Sequence, residues 1–213
     1  AAGDAATGGS EGRMGREALE EAASLGLRRL QAPESVGGYG YSFVTKTALA
    51  EILGGADYGF TMSLLNTHNI PAKLAKDAQP HVAERFIPDL FAGRRIGCTA
   101  LTEPTAGSDF PAIRTLARRD GDGWRVTGEK AWIINGAVAD TIVLFAQTDP
   151  AAGAKGIASF LIDLRRDGAR RVPPFDVVGQ HTIGAGGFIL EDYRVEPDEM
   201  LSPPGEAFRS AME

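Results

Sequence analysis

The sequence predicts an α+β protein: an N-terminal all-α helical domain, residues 11–95, followed by an antiparallel β-barrel domain, residues 96–205. Up to about Arg95, apolar residues recur three or four positions apart, as on one face of a helix. Beyond Arg95 the period becomes two, which is typical of strands. No helical stretches separate these strands, so we expect antiparallel pairing in a barrel or sandwich.

The helices of the first domain are predicted from apolar spacing. Leu19, Ala22 and Leu27 show the pattern, and Gly93 is expected to cap the last helix because glycine tolerates a positive φ. The predicted helices are residues 16–27, 43–53, 61–65, 71–78 and 80–92.

The strands of the second domain are predicted from alternation and from the turns between them. Residues Asp120 to Gly123, Asp-Gly-Asp-Gly, are a strong hairpin signal. The predicted strands are residues 113–119, 123–134, 141–147, 156–164, 171–178 and 187–195.

Composition excludes several classes of protein. The 28 acidic and 22 basic residues give a net charge of -6, which argues against broad binding to nucleic acid or an anionic membrane surface. The single cysteine, Cys98, excludes an internal disulfide, and the three histidines lack the spacing of metal ligands. No apolar run approaches the roughly 20 residues that span a bilayer, and no signal peptide is evident. We therefore expect a soluble, cytoplasmic protein without a metal site.

The first ten residues, AAGDAATGGS, contain almost only small side chains. Such a stretch buries too little apolar surface to become ordered alone, so it is predicted to be a flexible N-terminal stretch.

Two motifs stand out for chemistry. In the first, residues 98–109, an apolar strand runs into a turn that carries hydroxyl groups and Gly107, where a ligand can approach the main chain closely. Thr102 and Ser108 there can donate or accept hydrogen bonds, and a concave set of N–H groups suits a polar or anionic cofactor edge. An ordinary polar turn is the alternative.

The second motif, residues 128–136, places Trp132 near the end of a strand. An indole at such a position is suited to cover a flat aromatic ligand by offset stacking. A tryptophan that only fills the core is the alternative.

Together the motifs resemble the acyl-CoA dehydrogenase family. Residues 100–109, Ala-Leu-Thr-Glu-Pro-Thr-Ala-Gly-Ser-Asp, are similar to its signature. Residues 132–136, Trp-Ile-Ile-Asn-Gly, are similar to its Trp-Ile-(Ser/Thr)-Asn-Gly element, at the expected distance downstream. Residues 187–197 and 201–208 resemble later family segments in the same order. The resemblance covers nearly the whole chain.

This resemblance implies FAD as cofactor and an acyl-CoA thioester as substrate. In the family a carboxylate removes the α proton of the acyl group while hydride leaves the β carbon for the flavin. Ser108 is also implied to meet the CoA arm of the substrate. The residues implied to line the flavin are Thr99, Leu101, Thr102, Gly107, Ser108, Trp132, Ile133 and Ile134.

The family's C-terminal helical domain supplies the catalytic base in most members. Residues 206–213 resemble its start, so the sequence assigns no catalytic residue, and we expect this polypeptide alone to be inactive. The resemblance further implies an electron-transfer flavoprotein or similar electron acceptor, and a homo-oligomer, such as a homotetramer, or a heteromer.

Three positions depart from the family pattern and keep other functions open. Ile134 stands where the family has a hydroxyl that donates to the flavin, and His181 and Ile183 stand where it has arginine and serine. A non-catalytic flavin- or ligand-binding subunit of a heteromeric complex is one alternative. A relative with oxidase, monooxygenase or lyase chemistry is another.

Overall fold

The computed structural model describes residues 16–212, so the flexible stretch predicted at residues 1–10 lies outside the described residues. The helices are α1 (Arg16–Ser24), α2 (Phe43–Ala56), α3 (Tyr58–Asp77), α4 (Pro80–Phe91) and α5 (Ala207–Met212). The strands are β1 (Gly97–Ala100), β2 (Leu116–Asp120), β3 (Gly123–Ile133), β4 (Thr141–Gln147), β5 (Ile157–Asp163), β6 (Ala169–Arg171), β7 (Gly186–Val195) and β8 (Met200–Ser202). The predicted α+β order, with the helices first and the sheet after them, is confirmed.

Helix α3 is one continuous helix where two were predicted. Asp57 caps its start by accepting a hydrogen bond from Phe60 N–H (2.8 Å), and Pro71 lies inside it. A proline within a helix costs about 3 kcal/mol. Leu64 and Leu74 are nevertheless fully buried before and after Pro71, so one packed apolar face offsets this cost.

The sheet has eight strands in the order β6-β7-β3-β2-β4-β5-β8, with β1 added beside β4. The predicted hairpin is present: β2 pairs antiparallel with β3, and Asp120 faces Gly123. All seven residues of β4 are buried. Ile142 and Leu144 belong to the core of the sheet domain, whereas Val143 and Phe145 pack with α3 and α4.

The predicted closed barrel is wrong, because the sheet is open. Its edge strands, β6 and β8, have three residues each, and each is followed by proline within two residues: Pro173 after β6 and Pro203 after β8. Proline has no N–H to donate, so neither edge extends far enough to close the sheet. The strand predicted at residues 171–178 is wrong for the same reason: the observed strand is Ala169–Arg171 and ends where the predicted one begins.

The sheet is also not entirely antiparallel. Strand β1 runs parallel to β4, with Gly97 opposite Thr141, because the β2–β3 hairpin carries the chain back to the same end of the sheet before β4 begins. The first motif therefore starts at the end of a strand buried against β4.

Candidate functional site

A tight turn follows β1 in the first motif. The N–H of Glu103 donates to the carbonyl of Ala106 (2.8 Å), and the N–H of Ala106 donates back to the carbonyl of Glu103 (3.2 Å). Pro104 and Thr105 form the exposed tip, so the chain reverses here.

A buried ion pair fixes this turn to the second motif. Lys130 Nζ donates to Glu103 Oε1 (2.8 Å) and to the carbonyl of Leu101 (2.9 Å). The Glu103 carboxylate also accepts the N–H groups of Arg114 (2.6 Å) and Thr115 (2.9 Å). The side chains of Lys130 and Glu103 are 0% and 3% exposed, so neither charge is solvated and each depends on the other.

The pKa values reflect this arrangement. Burial by itself raises the pKa of Glu103, but the Lys130 ammonium and the N–H donors outweigh it and hold that pKa below its ordinary value. Burial lowers the pKa of Lys130 to about 8, although Glu103 opposes the shift. Glu103 is thus an ionised structural residue, not a base with a raised pKa.

The two motifs also touch through their main chains. Ala131 N–H donates to the carbonyl of Thr102 (3.0 Å), which places Thr102 beside the residue that precedes Trp132. This contact and the Glu103–Lys130 pair together make one surface from the two motifs.

Trp132 lies on this surface with its ring outward. Ala131 and Trp132 form a β-bulge opposite Gly187, and Trp132 has a φ of 60°, which turns its side chain away from the core. The side chain is 58% exposed, which excludes the alternative of a core tryptophan. Its ring stacks on Phe175 with 4.2 Å between centroids, so a second aromatic ring borders the surface.

The first motif carries hydrogen-bond donors of its own. The hydroxyls of Thr102 and Ser108 and the N–H groups of Gly107 and Ser108 donate to no other residue of the described part of the chain. A Cβ added at Gly107 would meet nothing within 4 Å, so the space beside it is open. These donors are available to a polar ligand.

The other predicted flavin-lining residues lie in different surroundings. Ile133 is 4% exposed and packs in the sheet core. Ile134, next along the chain, is partly exposed. Thr99 and Leu101 line a cavity on the helical side of β1. The structure tests none of these assignments, which stay predictions.

Asn135, which the sequence motif contains but to which no role was assigned, joins the two domains. Its Nδ2 donates to the carbonyl of Ser63 (2.9 Å) and to Thr67 Oγ1 (3.0 Å), both on α3. It also donates to the carbonyl of Gly97 (3.3 Å), where β1 starts. With a φ of 64°, Asn135 adopts a left-handed conformation that asparagine tolerates well. It therefore positions β1, and with it the first motif.

The departures at His181 and Ile183 lie beside the start of α3. They flank Thr182, whose hydroxyl donates to Asp57 Oδ1 (3.1 Å) at the cap of that helix. The carbonyl of Ile183 accepts the N–H of Asn135 (3.0 Å). In this chain the segment is thus tied to the contact between the domains.

Comparison with known proteins places both domains in one family. Residues 2–94 match the model of the acyl-CoA dehydrogenase N-terminal domain, and residues 98–193 match that of the acyl-CoA dehydrogenase middle domain. The chain belongs to the acyl-CoA dehydrogenase family.

Individual relatives agree with this assignment. The mitochondrial short-chain specific acyl-CoA dehydrogenase of Bos taurus is 34% identical over 95% of this chain and 50% of its own length. The structure of butyryl-CoA dehydrogenase from Megasphaera elsdenii is similar with a TM-score of 0.89 and 28% identity, over 95% of this chain and 54% of that one. The structure of a probable acyl-CoA dehydrogenase from Mycobacterium abscessus is similar with a TM-score of 0.89 and 30% identity. The match covers 99% of this chain and 56% of that one. The chain therefore spans about half the length of these relatives.

The described residues, 16–212, contain neither a candidate membrane span nor a candidate metal cluster. No helix in this range is long and apolar enough to cross a membrane. No group of three or more histidine, cysteine or acidic side chains there is arranged to hold a metal ion.

Proposed function

We propose that the complete protein carrying these domains is an acyl-CoA dehydrogenase that uses FAD to remove hydrogen from the α and β carbons of an acyl-CoA thioester. One observation carries the proposal: the buried Glu103–Lys130 pair and the hydrogen bond from Ala131 N–H to the carbonyl of Thr102 hold the two motifs side by side, next to the exposed Trp132. Family membership supports the same reaction.

The residues on this surface fit a flavin. Its isoalloxazine ring is flat and has polar edges, so it requires both an aromatic contact and hydrogen-bond donors. The exposed ring of Trp132 offers the first, and Thr102 and Ser108 offer the second. Open space at Gly107 leaves the main chain accessible. The sequence motifs already contain Trp132, Thr102 and Ser108. Sequence analysis did not recognise Lys130 and Asn135 as the residues that position these motifs.

The described residues prepare the reaction in three ways. Trp132 covers one side of the ring and excludes water from it, while Thr102 holds an edge of the ring. Ser108 orients the thioester through the CoA arm, as the sequence resemblance implies. FAD, when bound, accepts the hydride from the β carbon. The proton at the α carbon requires a base, and Glu103 does not serve because its carboxylate is saturated with N–H donors.

Other features of the proposal rest on the family alone. Electrons pass to an electron-transfer flavoprotein or a similar acceptor, and the protein assembles as a homo-oligomer or with a second chain. We also propose a cytoplasmic location.

The test is an absorbance spectrum of the complete protein, followed by anaerobic addition of acyl-CoA thioesters. We expect a bound oxidised flavin that bleaches within the turnover time. A protein that carries no flavin after reconstitution with FAD would refute the proposal.

Ile134 favours a second candidate, a non-catalytic flavin- or ligand-binding subunit. Isoleucine offers no hydroxyl to the flavin at this position, which removes one donor that favours hydride acceptance. The same experiment separates the candidates: flavin that binds but never bleaches with any thioester supports the subunit. Rapid reoxidation by oxygen with formation of peroxide supports an oxidase relative.

A further inference from the structure

A cavity of about 320 Å³ lies between the helical domain and the sheet. Its sheet side is formed by Thr99, Leu101, Val143 and Phe145, and its helical side includes Gln31 and Asn69. The sheet side is thus mostly apolar and the helical side carries the polar groups. The sequence predicts that Thr99 and Leu101 contact the flavin, and on that prediction the cavity adjoins the proposed reaction site.

Positive charge is concentrated on the helical side. None of the described residues that line the cavity is acidic, whereas Lys73 and Lys76 line it. Lys73 is neutralised by Asp77, with 2.7 Å between Nζ and Oδ2, and it also donates to Ser210. The charge of Lys73 is therefore already balanced within α3.

Lys46 differs because its charge has no counterpart. It lies directly behind the cavity wall, is only 7% exposed, and donates to Gln31 Oε1 and to Asn69 Oδ1 (2.8 Å). Its Nζ also lies 5.2 Å from the centre of the Phe43 ring. All three partners are neutral, and no carboxylate in residues 16–212 forms an ion pair with Lys46. A buried ammonium without a counter-charge is costly, which calls for an anion.

Lys46 also determines which groups face the cavity. Because the amide oxygens of Gln31 and Asn69 accept from Lys46, their NH₂ groups point elsewhere, and these donate to no described residue. Both residues line the cavity, so each has an amide donor free for a ligand there. A cation bonded to the oxygen polarises the amide and strengthens those donors.

The buried histidine near Lys46 adds no charge. His68 is buried nearby, and burial, Lys46 and Arg28 lower its pKa to about 3, so it is neutral at physiological pH. Burial also lowers the pKa of Lys46, a shift that a bound anion would reverse.

We propose that this cavity selects an acyl group that ends in a carboxylate: the substrate is the CoA thioester of a short dicarboxylic acid. The methylene groups pack against Leu101, Val143 and Phe145, and the distal carboxylate accepts from Gln31 and Asn69 with Lys46 as its counter-charge. A phosphate of CoA fits less well, because it would lie against the apolar sheet side. This inference rests on the proposed function and specifies its substrate class.

The experiment compares two thioesters in the complete FAD-loaded protein. One carries a five-carbon dicarboxylic acid and the other the five-carbon monocarboxylic acid, so they differ only in the terminal carboxylate. We expect the dicarboxylic thioester to bind about 10- to 100-fold more tightly by titration calorimetry, the range for hydrogen bonds to a charged group.

Variants assign this preference to Lys46. Lys46→Met is expected to abolish it, so that the two thioesters bind with affinities within about 3-fold of each other. If Lys46→Met folds poorly, Asn69→Asp tests the same preference. Its aspartate retains an acceptor for Lys46 and supplies the counter-charge internally. Lys46→Arg should retain the preference, and Lys155→Met, at an exposed lysine outside the cavity, should match the unmodified protein.

Each other outcome overturns the inference in a recognisable way. Equal or weaker binding of the dicarboxylic thioester refutes the substrate class and leaves the proposed function intact. Equal weakening of both thioesters in Lys46→Met shows that Lys46 acts on the phosphates shared by both ligands. If neither thioester binds, the proposed function itself fails.

Discussion

Glu103→Gln tests the role of the buried ion pair. The substitution keeps the shape of the side chain but leaves the Lys130 ammonium, 0% exposed, without its counter-charge. Glutamine also replaces one acceptor oxygen by an NH₂ group, which would face either the N–H of Arg114 at the Oε2 position or the donors of Thr115 and Lys130 at the Oε1 position. Removing one partner of a buried pair typically costs about 3–5 kcal/mol, so we expect a loss of that size in the free energy of unfolding.

The assay is urea unfolding of the complete protein, with retention of FAD measured in parallel. Because the pair holds the first motif against the second, FAD retention should fall together with stability. Glu191→Gln is the matched control, since the Arg170–Glu191 pair is 3.8 Å apart with both side chains more than half exposed. We expect that control to change stability by less than about 1 kcal/mol.

Replacing both partners completes the test. Glu103→Gln with Lys130→Met removes both charges, so the double variant should regain much of the stability that Glu103→Gln loses. The reasoning is refuted if Glu103→Gln is no more harmful than Glu191→Gln, or if the second substitution restores nothing.

Four further predictions concern single positions. The pKa of Glu103 is lowered in the folded protein, so the contribution of its carboxylate to stability should be lost as pH falls from about 4.5 through that lower value. The free energy of unfolding of Glu103→Gln should therefore depend less on pH in this range. Asn135→Leu removes the acceptor of the buried Ser63 hydroxyl together with the amide hydrogen bonds to α3 and β1, and should lower the free energy of unfolding by about 2–4 kcal/mol; urea curves unchanged by it would contradict its role in the domain contact. Trp132→Ala should weaken the free energy of FAD binding by about 0.5–1.5 kcal/mol beyond the loss of buried area, as measured by equilibrium dialysis. Unchanged FAD binding would mean that the ring does not stack on the flavin. Ile134→Thr should speed flavin reduction by roughly 3- to 10-fold in anaerobic stopped-flow, and an unchanged rate would mean that another donor already serves the flavin.

Local sequence patterns predicted much of the fold because they act over a few residues. The hairpin at Asp120–Gly123 and the buried strand β4 follow from turn chemistry and apolar runs. The continuity of α3 through Pro71 did not follow, because it depends on packing against residues distant in the sequence. The open edges at β6 and β8 did not follow either, because they depend on which strands pair with each other. The prolines that follow these two strands were the only indication in the sequence.

The candidate site shows the same division. Motifs identified Trp132, Thr102 and Ser108, because such stretches carry their own chemistry. Lys130 and Asn135 were missed as partners, since their roles depend on contacts that span 27 residues to Glu103 and 72 residues to Ser63. For Lys130, the sequence feature that could have indicated its role is a lysine within a predicted strand. For Asn135, it is an asparagine directly before a glycine.

The most direct test of the central claim is a crystal structure of the complete protein with FAD bound. The account predicts that the flavin ring lies against Trp132, with polar atoms within hydrogen-bond distance of Thr102 or Ser108 and the Glu103–Lys130 pair intact beneath. A flavin bound elsewhere, with Trp132 still stacked only on Phe175, would contradict it.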